Sequence, residues 1–96
     1  MPDAFRVRST VRFDRLVKTH RKRYKEFTQI LADALAILEE DPLDRTRTRQ
    51  VKKLVNVKAG EGQYRLRLGR WRFRYDVSDA EVTLRYCGLR REDTYR

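Results

Sequence analysis

The sequence predicts an α+β fold in a single domain over residues 1–96: strand, helix, helix, then a three-strand antiparallel sheet with both helices on one sheet face. Three observations carry this. A chain of 96 residues holds one hydrophobic core and not two. Between Tyr24 and Leu38 apolar residues recur at three- and four-residue steps, the period of an amphipathic helix. From Tyr64 onward they recur at every second residue, the period of a strand with one buried side.

Taken in chain order, Phe5-Arg6-Val7-Arg8 alternates apolar and charged side chains, as a short half-buried strand does. Ser9 and Thr10 offer N-cap hydroxyls, and Val11, Phe13, Leu16 and Val17 suit one face of a short helix. His20-Arg21-Lys22-Arg23 reads as a turn, with His20 on the surface. The helix over 24–40 ends at Asp41-Pro42, because proline disfavours helical geometry in the residue before it and has no N–H. Val51 to Val57 carries some β-branched residues, and Gly60-Glu61-Gly62 marks a loop.

The strand signal then strengthens. Tyr64, Leu66 and Leu68 alternate with Arg65 and Arg67, Gly69-Arg70 makes a tight turn, and Trp71, Phe73, Tyr75 and Val77 alternate with Arg72, Arg74 and Asp76. After a turn at Ser78-Asp79-Ala80, Val82, Leu84 and Tyr86 form the inward set of the last strand, and a polar tail begins at Gly88. Trp71 shares parity with Phe73 and Tyr75 and belongs to the core or its rim; Cys87 reads as a small packed residue.

Composition narrows the functional classes. With 40% hydrophobic and 40% charged residues the chain is too apolar for disorder, and its apolar runs are too short for a membrane span. No signal-peptide pattern opens it, so the expected compartment is the cytoplasm. One cysteine and one histidine make neither an internal disulfide nor a closed zinc site, and no metal or cofactor is expected. The net charge of +10 is concentrated: residues 43–75 hold eleven basic and two acidic groups, while 24–42 hold one and five. Bunched like charge repels itself, so a segment this basic suits a polyanion better than mere solubility.

Side chains two apart on a strand share a face, so Arg65, Arg67, Arg72 and Arg74 are expected together on the face away from the helices. Guanidinium forks match phosphate oxygens and stay charged at any working pH, which points to a phosphodiester backbone. The plainer alternatives are a solvated basic face or a face that meets an acidic protein.

The run Lys53-Leu54, Gln63 to Tyr75, then Gly88-Leu89-Arg90-Arg91 and Tyr95 resembles the RelE/ParE superfamily of bacterial toxins from toxin–antitoxin pairs. That resemblance implies a small sheet with two helices on one side. For its ribosome-dependent members it implies cleavage of messenger RNA in the ribosomal A site by attack of the 2′-hydroxyl, without a metal. Carried over position by position, it implies catalytic roles for Arg67, Arg72, Arg90 and Tyr95 and an RNA contact for Arg65; the charge pattern adds Arg74, Lys52, Lys53 and Arg91 as RNA-binding candidates. Arg65 and Arg67 stand where lysines are typical, and arginine cannot act as a general base, so proton abstraction would fall to Tyr95. The implied partners are a cognate antitoxin and ribosome-bound mRNA, with operator DNA as a ligand of the toxin–antitoxin complex. ParE-type members act on DNA gyrase instead, and a non-catalytic RNA- or protein-binding module on the same scaffold is the further alternative.

Overall fold

The structure, a computed structural model, describes residues 4–90. The chain runs β1 (Arg6–Ser9), α1 (Val11–Arg23), α2 (Phe27–Glu40), β2 (Val51–Lys53), β3 (Tyr64–Leu68), β4 (Trp71–Ser78) and β5 (Glu81–Leu89). The strands form one sheet in the order β1-β5-β4-β3-β2. Neighbours are antiparallel except β1, which lies parallel to β5 with Arg6 beside Glu81 and Ser9 beside Leu84. The sheet is therefore five-stranded and mixed, not the three-strand antiparallel sheet expected. The additions have a physical reason: β1 and β2 are edge strands of three or four residues, too short for alternation to announce their partners.

Helix α1 starts where expected. Thr10 is its N-cap, its hydroxyl accepting from the Phe13 N–H at 3.2 Å and donating to the Leu84 carbonyl at 3.1 Å. The helix does not stop before His20, however. Residues 20–23 form its last turn, where the positive charge of Arg21, Lys22 and Arg23 complements the helix dipole, and the break comes at 24–26. Helix α2 accordingly begins at Phe27, three residues later than its apolar period suggested.

Both helices cover one sheet face. Phe13 of α1 lies 6.5 Å from Phe73, and Phe27 of α2 lies 4.9 Å from Trp71, between ring centroids. Leu38, Leu66, Tyr75, Val82, Leu84 and Cys87 complete the fully buried layer. The Tyr75 hydroxyl donates to the Pro42 carbonyl at 2.6 Å, tying the segment after α2 to the middle of β4.

His20 belongs to this core and not to the surface. It is 5% exposed, its ring centroid 5.1 Å from Trp71 and 5.4 Å from Phe27, and its Nε2 donates to the Cys87 carbonyl at 3.0 Å. The cause is topological. Because β1 ends opposite Leu84, the outer edge of β5 beyond that point has no strand partner among the described residues, and α1 fills the place with a side-chain donor.

Candidate nucleic-acid interface

The face away from the helices is built by strand register. Antiparallel pairing sets Arg65 opposite Arg74 and Arg67 opposite Arg72, and cross-strand partners share a face. Lys52 of β2 continues the first row beside Arg65, and Tyr86 of β5 continues it beyond Arg74. The second row runs from Arg67 through Arg72 to Gly88. All four arginines expected on one face are on it, together with Lys52.

Directly opposed like charges repel, and the local hydrogen bonds steer two of the tips apart. The Arg67 guanidinium is held by the Gln50 side-chain oxygen, at 3.0 Å from Nε and 2.6 Å from Nη2. Arg74 turns the other way and donates to the carbonyls of Glu61 and Gly62 at 3.1–3.2 Å. Those acceptors are neutral, so the positive charge is oriented but not cancelled. Arg72 sits between them and is only 5% exposed, enclosed where an open tip was expected. Arg65 is half-buried, and its Nε has no hydrogen-bond partner among the described residues.

The other predicted residues divide. Lys53 lies one position off Lys52 and so takes the opposite side, its Nζ 5.8 Å from the Tyr64 ring centroid on the helix face of the sheet edge. It does not join the arginines. Arg90 is exposed and stands at the end of β5, its N–H donating to the Arg70 carbonyl at 2.8 Å. Arg91 and Tyr95 lie outside the described residues.

Three features were not expected from the sequence. Tyr86 is on the arginine face because β5 carries a bulge: Tyr75 pairs with Leu84 but Arg74 pairs with Tyr86, so Arg85 is an extra residue and the alternation flips. Cys87 takes the inward place expected of Tyr86, opposite Phe73. The signal was present in the apolar spacing, which steps from Leu84 to Cys87 across three residues instead of two. Arg12 of α1 reaches round the β5 edge to lie 5.3 Å from the Tyr86 ring centroid.

The third feature bounds the site. The Asp76 carboxylate, buried on the same face, accepts from the N–H groups of Gly60, Gly62 and Gln63 at 3.0–3.1 Å and from Arg85 Nε at 2.8 Å. Burial alone would raise its pKa, but the Gln63 N–H, Arg85 and the Gly62 N–H outweigh it and hold the carboxyl below its usual range. Asp76 and Arg74 thus fasten the loop before β3 across one end of the face. Among the described residues no three His, Cys, Asp or Glu side chains are grouped to hold a metal ion, and no helix is long and apolar enough to cross a membrane. No protein-family model, curated protein or solved structure matches the chain.

Proposed function

We propose that this chain is a toxin of the RelE/ParE type that cleaves messenger RNA on the ribosome and is held inactive by an antitoxin. The observation that supports it is the register of β3 and β4, which stacks Arg65 on Arg74 and Arg67 on Arg72 on one sheet face, at a cost in repulsion that the fold itself does not need. In the reaction the RNA 2′-oxygen attacks the adjacent phosphorus as its proton passes to the phenolate of Tyr95, which the surrounding guanidiniums favour over the phenol. The bond to the 5′-oxygen breaks as that oxygen takes up a proton from water, leaving a 2′,3′-cyclic phosphate and a 5′-hydroxyl. In this reading Arg72, which pairs with Arg67 across the two strands, stabilises the charge that gathers on phosphorus, and Arg90 completes that set. Lys52 and Arg65 hold the flanking backbone. An antitoxin segment rich in acidic residues would neutralise the same face, in the cytoplasm.

A second reading is a toxin or module that binds without cleaving. It draws on the fact that the Arg67 and Arg74 tips are already engaged by Gln50 and by loop carbonyls. Expression in bacteria separates the two. Wild type should arrest growth and truncate messages at ribosome-occupied codons, with Arg72→Ala and Tyr95→Phe each losing cleavage by about 100-fold or more while antitoxin capture survives. Arrest with intact messages, DNA-damage signalling and indifference to both substitutions would instead identify a gyrase poison; no arrest and intact messages would end the toxin assignment.

A further inference from the structure

Tyr86 is the aromatic residue that the core leaves out. Among the described residues every other Phe, Trp and Tyr belongs to the buried cluster or packs against it, whereas Tyr86 is half-buried on the arginine face. A β-bulge puts it there. Regular alternation after Leu84 would turn residue 86 toward the helices; the extra residue at Arg85 turns it outward and seats Cys87, a smaller side chain, against Phe73 instead. A ring set among guanidiniums forgoes the apolar burial it would have inside, so core packing does not account for its place.

Its neighbours decide what the ring can take. Register sets Tyr86 at the end of the row Lys52, Arg65, Arg74, on four adjacent strands roughly 4.8 Å apart. The Arg12 guanidinium, 5.3 Å from the ring centroid, holds the ring from the side of α1 and carries the positive field past it. Within the row the Arg65 Nε has no hydrogen-bond partner among the described residues. A nucleotide presents a phosphate anion beside a flat π-surface, and cations that lead to an aromatic ring are complementary to both. A duplex keeps its base faces inside the stack, so it could use the cations but not the ring. An acidic peptide brings carboxylates to the cations but no flat base to the ring.

We infer that Tyr86 is a base-stacking residue, taking one nucleobase of a single-stranded RNA whose phosphates lie along Lys52 and Arg65. This rests on the reading of the arginine face as an RNA site and adds the contact that tells an unpaired strand from a duplex. Binding of the purified full chain to a 2′-O-methyl RNA of about eight nucleotides, in which the 2′-oxygen cannot attack, is measured by fluorescence anisotropy over a range of KCl concentrations. A strand of the same length and charge whose sugars carry no bases is measured beside it. Wild type should bind the base-bearing strand about tenfold more tightly than the base-free one. Tyr86→Leu, which keeps bulk but not the π-face, should lose about tenfold on the base-bearing strand and nothing on the other, with the salt slope unchanged because the ring neutralises no phosphate. Tyr86→Phe should bind as wild type does, and Arg65→Gln should lower the slope by about 0.7 on both strands. Thermal melting reports whether Tyr86→Leu is folded; should it not be, the wild-type comparison of the two strands decides. Equal wild-type affinity for the two strands would overturn the assignment, as would a folded Tyr86→Leu that binds like wild type or weakens on both strands alike, or tighter binding of polyglutamate of equal charge. The toxin reading fails separately: stacking with intact messages in cells would end cleavage and leave this site, whereas truncated messages with Tyr86→Leu binding unchanged would end stacking and leave cleavage.

Discussion

His20 does two jobs with one ring. It fills a space between Trp71, Phe27 and Tyr24, and its Nε2 satisfies a carbonyl on the sheet edge that no described strand reaches. His20→Ala should therefore lose about 2–4 kcal/mol, the sum of a cavity and an orphaned acceptor, whereas His20→Phe keeps the volume and should lose about 1–2 kcal/mol, both read by urea denaturation. Tyr75→Phe should cost about 1–2 kcal/mol, because the Pro42 carbonyl loses its buried donor. The aromatic ladder of Trp71, Phe73 and Tyr75 is legible in the sequence because parity alone decides which way a strand residue faces. His20 is not legible in that way. The residues that follow it on the chain are cationic, and what buries it is the unfilled edge of a strand that lies far along the sequence.

Among the elements, the loop before β3 and the bulge in β5 shape the arginine face more than the strands' alternation does. Removing the charge at the loop's anchor, Asp76→Asn, should destabilise the protein by about 2–3 kcal/mol at neutral pH and raise hydrogen exchange at Gly60, Gly62 and Gln63. The sign with pH follows from the lowered carboxyl: the wild-type advantage is full above the unfolded carboxyl value of about 4 and is lost as pH falls through the lower folded value. Denaturant midpoints of the two proteins should thus converge in acid. Gly62 is fixed by the same arrangement. Its φ is +86°, and a Cβ there would meet the Arg74 Cβ at 3.0 Å. The loop's position was foreseeable from its glycines, but its anchor was not, since Asp76 looked like one more alternate polar residue of β4.

For the whole molecule, the helices, the β3–β4 hairpin and the grouping of four arginines could be read from periodicity, because each depends on neighbours in the chain. The parallel seam between β1 and β5 could not. It joins residues such as Thr10 and Leu84, 74 positions apart, and leaves no periodic trace in either segment. The seam makes the fold depend on its last strand: a chain ended at Ala80 should show no cooperative thermal transition, since β1 would lose its one sheet neighbour and β4 an entire side. During synthesis the first strand emerges with no strand to pair with, and it stays so until translation delivers residues 81–89. Whatever this protein does to its surroundings, it does only once that stretch has cleared the ribosome making it; a nascent copy still short of it is not yet competent to act.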